Sequence, residues 1–89
     1  MFDIKYHPDV AKDIKKISPP DRERVRKAIE TKLPQTPEKY SDHLRAELKN
    51  YWKLRVGDYR VVFKIAGKEI TILAIAHRKE IYKDFNREK

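Results

Sequence analysis

The stretch Lys53-Leu54-Arg55-Val56-Gly57-Asp58-Tyr59-Arg60-Val61-Val62-Phe63-Lys64 holds a two-residue turn between two arms that mix apolar and basic side chains. Gly57-Asp58 suits a tight hairpin, because glycine accepts positive φ at the first central position of a type II′ turn. Pairing Val56 with Tyr59 then sets Arg55 opposite Arg60, Leu54 opposite Val61, Lys53 opposite Val62 and Trp52 opposite Phe63. Directly paired residues share a face of the sheet. Trp52, Leu54, Val56, Tyr59, Val61, Phe63 and Ile65 therefore form one apolar side, and Tyr51, Lys53, Arg55, Arg60, Val62 and Lys64 the other. A slip of one residue would send the aromatic set into solvent and the arginines into the core, so the pattern specifies its own register.

Working outward, Ala66-Gly67-Lys68-Glu69 offers a second two-residue turn. Unbroken alternation after it predicts Ile70, Ile72, Ala74 and Ala76 on the apolar side, with Thr71, Leu73, Ile75 and His77 on the basic side. At the N-terminus, Phe2, Ile4 and Tyr6 alternate with Asp3 and Lys5, the period of a half-buried strand. His7-Pro8-Asp9 reads as a helix entry, followed by Val10, Ala11, Ile14 and Ile17 at helical spacing. Ser18-Pro19-Pro20-Asp21 ends that helix and offers Ser18 as the cap of a second one, whose stripe is Val25, Ala28, Ile29 and Leu33 and whose end is Pro34. So short a connection predicts an antiparallel helix pair packed on the sheet. Residues 35–50 read as a loop with a short strand approach, and residues 80–89 as a charged tail that Ile81 and Phe85 anchor in one or two helical turns. The expected fold is α+β: a small antiparallel sheet with an N-terminal two-helix hairpin on one face, as a single domain over residues 1–89.

Composition narrows the function. The chain has 89 residues, with 22 Lys and Arg against 14 Asp and Glu, a formal charge of +8. Such an excess on a small body favours polyanions or an acidic protein partner. Cysteine is absent, which excludes disulfides, thiolate zinc sites and a cysteine nucleophile. The N-terminus lacks the apolar run of a signal peptide, and the chain has no apolar stretch of roughly 20 residues to span a membrane. The expected setting is a soluble, cytoplasmic protein. Both glycines are spent on turns, so no glycine-rich phosphate loop is available. His7, at a helix entry, and His43, in the loop, lack the spacing of a metal site.

Like charges placed opposite each other, as Arg55 and Arg60 are, destabilise a sheet unless an anion sits between them. With that constellation in view, the chain resembles the RelE/ParE superfamily of toxins from toxin–antitoxin pairs, and specifically its RelE branch of ribosome-dependent mRNA endonucleases. The likeness runs from YHPDVAKDIKKI through LRAELKNYWKLRVGDYRVVFKI to ITILAIAHRKEIY, and WKLRVGDYRVVF followed by HRKEIY is its most specific part. The resemblance implies a basic, RNA-binding concavity on the sheet face opposite the helices. It implies a lysine on the first hairpin strand, an arginine after the turn, an arginine after the last strand and a tyrosine near the C-terminus as functional residues; here these are Lys53, Arg60, Arg78 and Tyr82. Arg55, Lys64, His77 and Tyr51 join them as RNA-binding candidates. Many relatives carry a second lysine where this chain has Tyr51, so any role shared between two lysines is rearranged.

Cleavage of RNA by its own 2′-OH needs a base, charge stabilisation at the phosphate and an acid for the leaving 5′-oxygen. Surrounding guanidinium charge favours a neutral amine, which makes Lys53 a candidate base, and the same field favours phenolate at Tyr82. Arg60 and Arg78 suit the non-bridging phosphate oxygens as bidentate donors. Arg78, His77 or a further group is left as the acid. No metal or other cofactor is required. The resemblance also implies a cognate antitoxin in a hetero-oligomer, and a ribosome carrying mRNA as the target. The alternatives are a ParE-like inhibitor of DNA gyrase without nuclease activity, and an inactive member that only binds its antitoxin.

Overall fold

The computed structural model describes residues 1–35, 41–43 and 51–80. Its elements are β1 (Asp3–Tyr6), α1 (Val10–Lys15), α2 (Pro19–Lys32), β2 (Ser41–His43), β3 (Tyr51–Val56), β4 (Tyr59–Ala66) and β5 (Glu69–His77). Among the described residues these strands make one five-stranded sheet, in the order β1-β5-β4-β3-β2. The expected α+β architecture is present. Strands β2 to β5 are antiparallel, but β1 runs parallel to β5, from Asp3 opposite Glu69 to Tyr6 opposite Ile72, so the sheet is mixed. After the two helices the chain re-enters at the far edge as β2, which runs opposite to β1, and the three reversals from β2 to β5 bring β5 back into the sense of β1.

The central hairpin has the register that the turn predicts. Val56 pairs with Tyr59, Arg55 with Arg60, and so on to Tyr51 with Lys64. Gly57 has φ +59° and Gly67 φ +62°, whereas no other described residue has positive φ, the sign pattern of type II′ turns at Gly57-Asp58 and Gly67-Lys68. Strand β2 joins the far edge with Ser41 opposite Leu54, Asp42 opposite Lys53 and His43 opposite Trp52. His43 thus ends a strand, where the sequence reading has a loop.

Strand β5 departs from simple alternation. Phe63 pairs with Ile72 but Val62 with Ala74, so Leu73 is an extra residue in β5, a β-bulge. Every side chain after it changes face. Ile75 joins the main core with Leu54, Val61, Phe63, Ile70 and Ile72, while Leu73, Ala74 and Ala76 cluster with Val62 on the opposite side. The expectation that Ala74 and Ala76 face the helices and that Ile75 and His77 face away is therefore reversed. The exchange has a physical reason: it buries an isoleucine in place of an alanine, roughly 2 kcal/mol of transfer free energy at ~0.8 kcal/mol per methylene.

The helices cover the first face. Val10 at the start of α1 and Ile17 just beyond its C-cap, with Val25, Ala28 and Ile29 in α2 and Leu33 at its C-cap, are buried against the sheet, and Phe2, Ile4, Trp52, Val56, Tyr59 and Ile65 pack around them. Ala11 is exposed. Ser18 occupies the N-cap of α2, but its hydroxyl donates to the Asp21 carboxylate (3.1 Å) and makes no cap bond to the backbone. Leu33 closes the helix, its N–H bonded to the Ile29 carbonyl, and the following Pro34 carbonyl accepts the Phe2 N–H. Leu44, Leu48, Ile81 and Phe85 lie outside the described residues. Among the described residues no helix is long and apolar enough to cross a membrane.

One buried polar group ties the layers together. Strand β1 covers the outer edge of β5 only as far as Ile72, whose carbonyl takes the His7 N–H (2.8 Å). Beyond that point β1 no longer pairs with β5, and the Asp13 carboxylate, 2% exposed, accepts the Ile75 N–H at 2.9 Å. Asp13 sits three residues after Val10 and four before Ile17, on the apolar stripe itself, and that position is the sequence signal for it. Asp13→Ala should leave the Ile75 N–H buried without its acceptor and cost about 1–3 kcal/mol, read from urea unfolding, and Asp13→Asn, which keeps an acceptor oxygen, should recover most of that loss.

Candidate nucleic-acid interface

The outer face of the sheet carries Tyr51, Lys53 and Arg55 on β3 and Arg60, Val62 and Lys64 on β4. The bulge adds Ala74 beside Val62 and Ala76 beside Arg60. Val62, Leu73, Ala74 and Ala76 are buried and Tyr51 packs against them. A row of small apolar residues thus runs between cationic side chains. Lys53, Arg60, Lys64 and Tyr51 are half-buried and Arg55 is exposed.

Arg60 is held by the hairpin itself. Its Nη1 donates to the Gly57 carbonyl (3.0 Å) and the Tyr59 carbonyl (2.9 Å), which folds the guanidinium over the turn. Its Nε and Nη2 donors take no part in those two bonds. Arg78 reaches the same turn from the end of β5: its backbone N–H donates to the Asp58 carbonyl (2.8 Å), and its Nε lies 3.9 Å from the Asp58 carboxylate. Both of these side chains are largely exposed, and such a contact is worth at most about 1 kcal/mol. The backbone of Arg78 is therefore fixed while its guanidinium stays exchangeable. An incoming phosphate can replace the carboxylate.

His77 lies elsewhere than the sequence predicts. The bulge pairs it with Tyr59, and the two rings meet edge to face with centroids 5.9 Å apart. Its Nδ1 accepts the Lys79 N–H (3.2 Å) and its carbonyl accepts the Glu80 N–H (2.8 Å). With Asp13, Lys16, Tyr59 and Glu80 it lines a cavity of about 100 Å³ on the helix side. The imidazole is bound into the turn that carries Arg78 rather than aligned with the cationic row. His7 likewise serves local structure, its Nδ1 accepting the Asp9 N–H at 3.1 Å. Tyr82 lies outside the described residues, so Lys53, Arg60 and Arg78 are the members of the expected set that can be placed.

A second surface lies on the other side. Tyr6, Ile14, Ile17, Val25, Ile29 and Ile75 line an apolar groove of about 390 Å³ between the helices and the sheet, rimmed by Arg22, Glu23, Arg26 and Glu30. Arg26 bridges Glu23 and Glu30 along α2. The hydrogen bond from Arg26 holds the Glu23 carboxyl below its ordinary range, and burial raises the Tyr6 phenol.

Comparison with known proteins places this geometry. The family model of the ParE toxin of the type II toxin–antitoxin system, parDE, matches residues 4–82. The chain belongs to this toxin family. It is a toxin of the RelE/ParE superfamily, as the motifs imply. No curated protein matches it significantly. Among solved structures, the toxin is similar to a chain of the RelBE2 toxin–antitoxin complex from Mycobacterium tuberculosis, with 24% identity, 86% of this chain and 98% of that one covered, and a TM-score of 0.78. A chain of the RelB–RelE antitoxin–toxin complex from Methanococcus jannaschii is 26% identical, with 91% and 98% covered and a TM-score of 0.71. A chain of the chromosomal ParDE system from P. aeruginosa is 20% identical, with 86% and 96% covered and a TM-score of 0.67. The same backbone thus occurs in chains of RelBE and ParDE systems.

The turn that orders those side chains yields a direct test. Gly57→Ala imposes positive φ on a residue with a Cβ and should cost about 1–3 kcal/mol in urea unfolding.

Proposed function

We propose that the toxin is a ribosome-dependent endoribonuclease that cuts mRNA in the A site by attack of the adjacent 2′-OH, without a metal. The observation that carries this reading is the convergence of Arg60 and Arg78 on the Gly57-Asp58 turn, one through carbonyls of the turn and the other through its own backbone, beside the row of Lys53, Arg55 and Lys64. The Arg60 guanidinium, held by carbonyls of the turn, and the exchangeable Arg78 guanidinium beside it form a clamp for a phosphate whose charge grows in the transition state. Lys53 is the base or shares that role with Tyr82, and Tyr51 offers a ring for stacking where relatives of the nuclease branch carry lysine. Arg55 and Lys64 bind backbone phosphate. In this reading the ribosome supplies the orientation that so small a site lacks. His77 contributes by fixing the Lys79 N–H and with it the turn that carries Arg78, and its contact with RNA is confined to the rim.

The partner in the resting state is a cognate antitoxin. The M. tuberculosis and M. jannaschii structures are of toxin–antitoxin complexes. An amphipathic antitoxin segment fits the groove over Tyr6, Ile14 and Ile29, and an acidic one fits the cationic face.

A second reading, inhibition of DNA gyrase without RNA cleavage, is favoured by the ParE description of the matching family model. The two separate in cells by which stops first, protein synthesis or DNA replication. The decisive measurement is a toeprint on programmed ribosomes with an open A site. Wild type should cut within the A-site codon and leave naked RNA intact. Arg60→Ala and Arg78→Ala should slow the cut by roughly a hundred- to a thousandfold, and Lys53→Ala and Tyr82→Phe by about a hundred- to ten-thousandfold. Intact message on ribosomes that demonstrably bind the toxin would sink the nuclease reading.

A further inference from the structure

Gly57 is approached from both sides. On one side its carbonyl takes Arg60 Nη1 at 3.0 Å. On the other side a Cβ built at Gly57 would stand 2.9 Å from Nη2 of Arg24, so the Arg24 guanidinium lies directly over the turn. Arg24 belongs to α2, on the helix side of the sheet, and its guanidinium reaches Gly57 at the tip of the hairpin. Arg78 is docked on the next residue, Asp58, and Arg55 stands opposite Arg60.

Four guanidinium groups from four elements or their ends therefore gather around one two-residue turn. Among the described residues, the carboxylates within 4.0 Å of these groups are Asp58, 3.9 Å from Arg78 Nε, and Asp21, 3.5 Å from Arg24 Nη1. Asp21 is shared, since it also accepts the Ser18 hydroxyl. Two carboxylates for four guanidinium groups leave the tip electropositive. The Arg24 side chain is 64% exposed, and the glycine beneath it has no side chain to hold an anion away.

We propose that Arg24 extends the cationic face around the hairpin tip and binds a backbone phosphate of RNA there, beyond the phosphate held by Arg60 and Arg78. This rests on the RNA-binding reading of the outer face, but it does not require that the RNA be cut. A guanidinium placed over the turn, with Nη1 beside the Asp21 carboxylate and a largely exposed side chain, can contact phosphate without reading the base. The phosphate belongs to the message if the strand runs along the outer face and over the tip. It belongs to ribosomal RNA if the tip is the docking point on the ribosome.

The test is the salt dependence of binding by the full chain, measured for wild type, Arg24→Gln, Arg24→Lys and Lys68→Gln. Lys68 is an exposed lysine in the turn at the opposite end of β4 and serves as a control of equal charge loss. Two probes are used, a single-stranded oligoribonucleotide of mixed sequence and ribosomes without message. Arg24→Gln should make the plot of log K against log salt shallower by about 0.7 for one single-strand phosphate lost. Arg24→Lys should keep most of the wild-type slope, and Lys68→Gln should keep all of it. A change with the oligoribonucleotide assigns the phosphate to message, and a change with vacant ribosomes alone assigns it to ribosomal RNA. Equal slopes for wild type and Arg24→Gln with both probes overturn the proposal. An equal change for Lys68→Gln also overturns it, because the effect is then one of net charge. If wild type fails to cut programmed ribosomes while the Arg24 effect persists, the nuclease reading fails and the phosphate site stands.

Discussion

The two-residue turn at Gly57-Asp58 is the constraint on which the rest of the molecule depends. Pairing Val56 with Tyr59 decides, through the period of two along each strand, which side chains meet the helices and which face outward over the whole β3–β4 ladder. The same turn supplies the carbonyls that hold Arg60 and the backbone of Arg78, and it seats Arg24. Fold and function thus converge on one pair of residues. A hairpin with a longer loop would keep the core and lose the arrangement of the arginines.

Much of this is legible in the sequence because it obeys one rule at a time. The β3–β4 register follows from one glycine and strict alternation, and the buried faces of α1 and α2 follow from spacings of three and four at Val10, Ile17, Val25, Ile29 and Leu33. The bulge at Leu73 obeys no such rule. Residues 70–76 are apolar on both faces but for Thr71, so alternation carries no information about which face each residue takes after Ile72. The sole cue is size, since isoleucine at 75 gains more from the core than the alanines on either side of it. The face of His77 is lost with that register, while the cationic row on β3 and β4 is unaffected.

Asp13 illustrates a different limit. A carboxylate on the apolar stripe of a short helix reads as an interruption of the pattern. It makes sense only against an unpaired N–H, and that N–H exists because β1 is shorter than β5. No local reading of residues 9–17 contains this information. Arg24 is similar, since its place over Gly57 depends on where α2 crosses the sheet and not on its own neighbours in the chain.

The parallel pairing of β1 with β5 has a consequence for how the molecule is made. Asp3 and Glu69 lie 66 residues apart, whereas β3, β4 and β5 are joined by turns of two residues. Loop-closure entropy favours the local hairpins, so the strand that leaves the ribosome first is the last to dock. Until residues 69–72 have emerged, β1 has no edge to join, and Phe2 and Ile4 remain without their place in the core. The sheet of a nascent toxin is thus incomplete until residues 69–72 have been made, an interval in which an antitoxin already present meets an unfinished fold.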